Sequence, residues 1–284
     1  MRRVSDHVYT EIYFWGCNPG FYVTPDEVFM IDTPQQPIDA VRWRERIAEH
    51  GPVRHLVNTE PHGDHIMGNA YFPGVEVIGQ RLMEARYLET IPRMTSQERI
   101  DTMKETDPDS VWLLNHPAYP PNPPTRLFDD ALDLDVGGKP VRCIHVPGHT
   151  PPQTAVLLPE EGVVFTGDNV FHRCKTFIQE ADPWQWLEAL KRIEALGAEV
   201  IVPGHGEPCD NSYLAEQASI IEAWIEAVQA FVDRGLTRDE ALAQPAPEVD
   251  PYPIGQRLFP GHDRVNALNV GNIYDRIVAR AGGG

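Results

Sequence analysis

The sequence predicts an α/β protein in which two β-sheets pack face to face, with helices on their outer sides. One observation is the order of elements, since strands followed by a helix occur in two successive parts of the chain. A second is that the apolar runs are short and separated by turn residues, as expected for strands. A third is that His and Asp residues follow several predicted strands directly. Layered α/β folds are typical of this ordering, and their chemistry usually lies at strand ends.

The first half of the chain begins with a meander of strands, because apolar residues alternate or run together between turn signals. The predicted strands of this half cover residues 8–14, 20–24, 27–32, 53–58 and 75–78. A helix is predicted over 37–50, where apolar residues recur at helical spacing between Pro37 and Gly51. A second helix is predicted over 81–88, and Thr95-Ser96-Gln97-Glu98 is a capping-box pattern that begins a third.

The second half repeats the alternation of strands and helices. Its predicted strands cover residues 126–128, 132–136, 141–146, 154–158, 163–166 and 199–202, and its predicted helices cover 183–196, 211–234 and 264–280. The proline-rich stretch 106–125 is predicted to be a loop. We therefore expect a single domain over 1–284, with an insertion that caps a pocket around 91–125 and a helical C-terminal extension over 211–284.

The stretch from Asn58 to His65 holds the densest group of metal-binding side chains. It contains Glu60, His62, Asp64 and His65 immediately after a predicted strand. Three later loops also follow predicted strands and contain Pro147-Gly148-His149, Thr166-Gly167-Asp168 and Pro203-Gly204-His205. Imidazoles and carboxylates are the ligands that divalent metals prefer, so these loops predict one metal centre built from dispersed segments.

In these motifs the chain resembles the metallo-β-lactamase superfamily, which has a His-x-His-x-Asp-His loop followed by a distant His, an Asp and a last His. The residues in matching order are His62, Asp64, His65, His149, Asp168 and His205. The resemblance spans roughly residues 8–207 and implies an αβ/βα sandwich. It also implies that His62 and His149 bind a first metal, that Asp64, His65 and His205 bind a second, and that Asp168 bridges the two.

Glu60 occupies the position of the first motif histidine, and this departure leaves two interpretations open. As a ligand, Glu60 would form a Glu-His-His site that favours harder ions such as Mn²⁺ or Fe²⁺ more than three imidazoles would. Alternatively the side chain points away, and only the second site is filled. Pro61 restricts the backbone of Glu60 to extended conformations but does not fix its side-chain direction.

Composition excludes several classes of protein. The net charge is −18 and no block of Lys or Arg occurs, which argues against binding to nucleic acid or to an anionic membrane. No stretch reaches membrane-spanning length, and no long apolar segment follows the basic residues at the start. The four cysteines lie far apart and are expected to be free thiols in a reducing cytoplasm. We therefore expect a cytoplasmic protein with a small-molecule substrate, and the sequence does not indicate its oligomeric state.

The expected activity is metal-dependent hydrolysis, with hydroxide on the metal attacking an electrophilic carbon of an ester, lactone, thioester or amide. Asp64 is expected to orient the nucleophile, and His172, four residues after Asp168, is a candidate for substrate binding. Zn²⁺ is the expected metal, as one or two ions. The alternatives are a hydrolytic dehalogenase, a mononuclear iron enzyme that is not a hydrolase, and a metal-binding protein without catalytic activity. The resemblance alone does not choose among them, because one fold supports many reactions.

Overall fold

The first sheet is built from the N-terminal half of the chain. The computed structural model describes residues 1–94, 96–106, 108, 110, 122–254 and 264–282. The strands of this sheet lie in chain order: β1 (Arg2–Arg3), β2 (Val8–Thr10), β3 (Gly20–Val23), β4 (Val28–Ile31), β5 (Val53–Val57), β6 (Glu76–Gln80) and β7 (Arg126–Phe128). Pairing is antiparallel from β1 to β4 and parallel from β4 to β7. The carboxyl ends of β4 to β7 therefore lie at one edge of the sheet.

The second sheet contains the strands of the C-terminal half. These are β8 (Ala131–Val136), β9 (Lys139–His145), β10 (Thr154–Leu158), β11 (Val163–His172) and β12 (Val200–Gly206), in the order β12-β11-β10-β9-β8. β11 and β12 are parallel, whereas the other neighbours are antiparallel. A parallel pair needs a crossover connection, and here the connection contains a helix over Pro183–Glu194.

The helices of the described residues lie mainly on the outer faces of the sheets. They are α1 (Pro37–Ala48), α2 (Gly63–Ile66), α3 (Met83–Met94), α4 (Gln97–Thr106), α5 (Pro183–Glu194), α6 (Ser212–Asp233), α7 (Arg238–Leu242) and α8 (Val265–Gly282). α5 begins where the Asp182 carboxylate accepts hydrogen bonds from the backbone N–H groups of Trp184 and Gln185. Such a cap satisfies donors that have no partner within the helix.

Three apolar layers hold this arrangement together. Phe29 and Ile31 of the first sheet meet Phe165 of the second in the layer between the sheets. Trp43 of α1 packs on the outer face of the first sheet, and Trp224 of α6 packs on the outer face of the second. Both indoles are fully buried. The prediction of an αβ/βα sandwich is confirmed.

Some predicted element bounds are wrong. The strand predicted over 8–14 ends at Thr10, whose hydroxyl donates to the Pro19 carbonyl as the chain turns. The strand predicted over 163–166 continues to His172, and the one predicted over 199–202 continues to Gly206. Asp168 and His205 therefore lie within strands rather than in loops after them. An irregular register between Gly167 and Phe171 gives β11 the freedom to turn the Asp168 side chain toward the site.

Two short helices, α2 and α7, were not predicted. α7 carries a sequence signal, since Thr237 and Glu240 form a reciprocal capping box. No described helix is long and apolar enough to cross a membrane. α6 packs against α5, β11 and α8, and α7 packs against α8.

The predicted domain organisation, a single domain with a helical extension over 211–284, stays a prediction. Within the segment around 91–125 that is predicted to cap the pocket, residues 95, 107, 109 and 111–121 lie outside the described part of the chain, and the capping role stays a prediction.

Candidate metal centre

The turn after β5 places the first group of polar side chains. β5 ends at Val57, and α2 begins after His62, whose backbone is extended. The carbonyl of His65 is held by the Asn58 amide at 3.0 Å and by the Thr33 backbone N–H at 3.0 Å. Because these contacts fix the short helix against the end of the sheet, the side chains around it point into one cleft.

The second sheet supplies the other side of the cleft. His149 follows β9, Asp168 lies in β11 and His205 lies in β12. A Cβ atom on Gly204 would lie 1.8 Å from Asp168 Oδ1, so only glycine allows β12 to approach this carboxylate. The interface between the two sheets therefore brings together side chains that are far apart in sequence.

Two overlapping groups of potential ligands result. One contains Glu60, His62, His149 and Asp168, and the other contains Asp64, His65, Asp168 and His205. Within each group the ligand atoms lie within 4.8 Å of one another. Asp168 belongs to both groups, which is the position expected of a bridging carboxylate. The structure thus brings together all seven residues that the sequence analysis proposed as metal ligands, and metal binding by them stays a prediction.

The side chain of Glu60 points into this cluster. Its Oε2 lies 2.6 Å from His62 Nδ1, and its Oε1 lies 3.3 Å from His65 Nε2. The carboxylate is fully buried. The interpretation in which the Glu60 side chain points away is therefore wrong. The carboxylate belongs to the group with His62, His149 and Asp168, and its binding of metal stays a prediction.

Two of the histidines are oriented by hydrogen bonds from the nitrogen that faces away from the cluster. His65 Nδ1 lies 2.9 Å from Asp32 Oδ2, and His149 Nδ1 donates to the Phe177 carbonyl at 2.8 Å. In each ring Nε2 then faces the cluster and can act as a ligand. Partners of this kind fix the tautomer of metal-binding histidines. Asp32 was not predicted as part of the site, although it ends a predicted strand. In the structure its backbone has a φ of 54°, a conformation that among the described non-glycine residues only Arg173 shares.

The cluster has the electrostatic character of a cation site. Both oxygens of Glu60, Nε2 of His65 and Oδ1 of Asp168 are buried without a well-aligned hydrogen bond from any described residue. Leaving such groups buried and unpartnered is costly, so the donor set fits one or two divalent cations.

Without a cation, the histidines and carboxylates of the cluster shift each other's pKa values. Burial disfavours a charged imidazole, but the carboxylates of Asp168 and Asp64 outweigh it and raise the pKa of His205 to about 10. Burial disfavours a charged carboxylate too, yet the imidazoles of His65 and His205 hold the pKa of Asp64 well below its usual range. The cluster is therefore expected to carry protons on imidazole in place of metal, and to release them when metal binds.

Removing metal is expected to lower the melting temperature of the protein. A ligand that binds only the folded state stabilises that state by mass action, and the donor groups are formed only in the folded protein. At a free metal concentration about 100 times Kd, the expected gain is about 2.7 kcal/mol, or about 5–10 °C. Differential scanning fluorimetry of chelated, reloaded and untreated protein measures it. Identical melting curves after verified metal loss would contradict the proposed site.

Two cavities meet at this cluster. A cavity of about 190 Å³ contains His62, Asp64, His149, Asp168 and His205 on its wall, together with the side chains of Gln35 and Gln179. A larger cavity of about 530 Å³ is also lined by His205. The two cavities therefore have this imidazole in common.

His172 lines only the larger of these cavities. Its Nδ1 donates to the Glu207 carbonyl at 2.6 Å, and its ring packs edge-on against Tyr213. Substrate binding by His172 stays a prediction.

The four cysteines are free thiols, and Cys17 lies close enough to Asp32 and His65 to form a third, overlapping donor group. Because burial raises the pKa of Cys17 far above its usual value, this thiol is protonated in the metal-free protein.

Comparison with known proteins agrees with this geometry. A profile of the Metallo-beta-lactamase superfamily matches residues 12–205. The chain is 26% identical over 242 residues to a metallo-beta-lactamase type 2 from Bacteroides fragilis, covering 79% of this chain and 86% of that protein. It is 28% identical over 215 residues to a hydroxyacylglutathione hydrolase from Erythrobacter litoralis, covering 73% and 69%. The chain belongs to the metallo-beta-lactamase superfamily, whose relatives named here are hydrolytic enzymes.

Other relatives match over a shorter part of their length. An atrochrysone carboxyl ACP thioesterase from Aspergillus fumigatus is 30% identical over 124 residues, which are 44% of this chain and 35% of that protein. The chain thus matches about a third of the thioesterase. Among solved structures, a metallo-beta-lactamase family protein from Thermus thermophilus superposes with a TM-score of 0.68 at 20% identity, covering 99% of this chain and 95% of that one. This likeness shows the fold alone.

Proposed function

We propose that this protein is a metal-dependent hydrolase that attacks an electrophilic carbon of a small molecule, such as an ester, lactone, thioester or amide. The observation that carries the proposal is the pair of donor groups sharing Asp168 beside a cavity. The names of the relatives include a thioesterase, a hydroxyacylglutathione hydrolase and a metallo-beta-lactamase, which supports hydrolysis as the reaction class.

The donor set suggests which ions bind and what they contribute. Glu60, His62, His149 and Asp168 would hold one ion, and Asp64, His65, His205 and Asp168 a second. Such ions supply Lewis acidity, which polarises a carbonyl and makes water a stronger nucleophile at neutral pH. Zn²⁺ suits the four imidazoles, and the three carboxylates also suit Mn²⁺ or Fe²⁺.

The protein's own groups would position the reactants. The side chain of Asp64 is 18% exposed and lines the smaller cavity, so its ionised carboxylate can accept a hydrogen bond from an attacking water. The amides of Gln35 and Gln179 face the same cavity and can donate to a substrate carbonyl. Phe171 and Phe177 form its apolar wall, which limits the access of other waters.

A panel of chromogenic esters, lactones, thioesters and amides, with metal analysis of the same sample, tests this function. Turnover that is lost with chelator and restored by metal supports the proposal. Turnover of haloalkanes alone would favour a dehalogenase. Iron content with oxygen consumption and no hydrolysis would favour an iron enzyme, and bound metal without any turnover would favour a binding protein.

The larger cavity is proposed to hold the remote part of the substrate, with a preference for an anionic group. Its wall includes Tyr13, Ile254 and Arg173. Glu207 on the same wall is paired with Arg2, whereas Arg173 has no carboxylate at ion-pair distance among the described residues. The backbone of Arg173 has a φ of 56° and its N–H donates to the Tyr213 hydroxyl at 3.1 Å. Strained conformations of this kind cluster at functional sites.

Replacing Arg173 with glutamine is expected to lower kcat/KM for a carboxylate-bearing ester roughly 2- to 5-fold, because one partly screened charge contact is lost. A neutral ester of the same size should be hydrolysed equally well by both proteins. Lys191→Gln, on the exposed surface of α5, is the matched control for loss of a positive charge. Equal losses for charged and neutral esters would contradict an anion site at Arg173.

A further inference from the structure

Glu180 lies in the connection between β11 and α5 and contacts the imidazole of His62. Its Oε1 lies 2.5 Å from His62 Nε2. The N–H is not well aligned with this oxygen, so the contact is mainly electrostatic. It nevertheless places a negative charge directly against one of the two ring nitrogens of a proposed ligand.

The other ring nitrogen of His62 faces the cluster. Nδ1 lies 2.6 Å from Glu60 Oε2 and 3.3 Å from His149 Nε2. His62 therefore has its ligand atom on Nδ1, whereas the arrangement around His65 leaves Nε2 for the cluster. A neutral imidazole carries one proton, and His62 can offer Nδ1 to a metal only when that proton is on Nε2.

Glu180 is itself held in place by groups from two helices. Its Oε2 is ion-paired with Arg86 of α3, and its backbone carbonyl accepts a hydrogen bond from Arg276 of α8 at 3.2 Å. The Arg86 side chain is 38% exposed, and the Glu180 side chain is 24% exposed. An acidic side chain anchored in this way keeps its position beside His62 without taking part in the cluster.

We propose that Glu180 is the positioning residue of the first metal site. It keeps the proton of His62 on Nε2 and thereby leaves Nδ1 for the metal. Arg86 connects this contact to α3. Asp32 occupies the corresponding place behind His65 in the second group. Each donor group would then have its own carboxylate behind one histidine. This inference rests on the proposed metal site, and it adds that the two sites can be weakened independently.

Glu180→Gln is expected to weaken the first metal selectively. The amide retains the size of the side chain but removes the charge and can donate to Nε2, which favours the wrong tautomer of His62. Since loss of such outer partners usually costs about 10–100-fold in metal affinity, the first Kd should rise by about that factor. Calorimetric titration of the apoprotein with Zn²⁺ should show one weakened step and one unchanged step.

Nitrogen NMR of the histidine rings provides a readout that a merely structural effect would not change. In the Zn²⁺-loaded wild type, the His62 ring should be protonated on Nε2, and in Glu180→Gln this signal should be lost or shifted. Arg86→Ala should produce a smaller change in the same direction, and it tests the same contact if Glu180→Gln fails to fold. Glu188→Gln, which breaks an exposed ion pair with Lys191, is the matched control.

Two outcomes would overturn the inference. One is an unchanged Zn²⁺ titration and an unchanged His62 tautomer in both Glu180→Gln and Arg86→Ala. The other is an equal loss at both metal sites, which would indicate a general structural effect. A wild-type protein that binds no metal would instead contradict the proposed function, so the two failures can be distinguished.

Discussion

Replacing His205 with alanine is expected to remove one metal ion and most hydrolytic activity. His205 Nε2 lies 3.3 Å from Asp64 Oδ2 and 3.3 Å from Asp168 Oδ2, so it faces both carboxylates of the second donor group. Loss of the hydrogen-bond partner of a metal ligand already costs about 10–100-fold in metal affinity, and loss of the ligand itself should cost more. His65→Ala should have the same effect, because His65 faces the same group. Metal content by mass spectrometry and kcat/KM with the best substrate of the ester panel measure the two losses.

A histidine outside the cluster provides the control for this experiment. His145 lies at the end of β9 and contacts the Pro151 carbonyl at 2.7 Å, and it belongs to neither donor group. His145→Ala should therefore retain the metal content and activity of the wild type. Full metal content and turnover in either His65→Ala or His205→Ala would show that the ligand assignment is wrong.

The sequence predicted the fold well because the signals of this architecture are local. Apolar runs bounded by turn residues indicated most strands, and helix-start residues such as Pro37 indicated where helices begin. The lengths of β11 and β12 could not be predicted in the same way. Their extensions past Thr166 and Val202 pair with each other across an irregular register, which is a long-range contact without a local pattern.

The candidate site shows the same division between local and long-range information. The order of His and Asp residues was sufficient to predict which side chains meet. It did not reveal Glu180 or Asp32, because their roles depend on distances to His62 and His65 across the fold. The direction of the Glu60 side chain was also unpredictable, since Pro61 constrains only its backbone.

Glu60 carries the other prediction with a large expected effect. Its two oxygens are fully buried beside His62 and His65 and have no well-aligned hydrogen bond from any described residue. A buried carboxylate in this state is costly unless a cation neutralises it. Glu60→Gln should therefore weaken metal binding at the first group by at least about 10-fold, because a neutral amide is a poorer ligand than a carboxylate.

The substitution Glu60→His separates ligation from a role in shaping the loop. It restores a nitrogen donor at this position, so metal binding should return while the preference shifts from Mn²⁺ toward Zn²⁺. The metal-to-protein ratio of both variants, measured after dialysis against equal Zn²⁺ and Mn²⁺, tests this, with Glu160→Gln on the exposed surface as the control. If both Glu60 variants keep the wild-type ratio and the wild-type preference, Glu60 is not a ligand. A loss in Glu60→Gln that Glu60→His reverses with altered preference would identify the carboxylate as the group that sets which ion the first site selects.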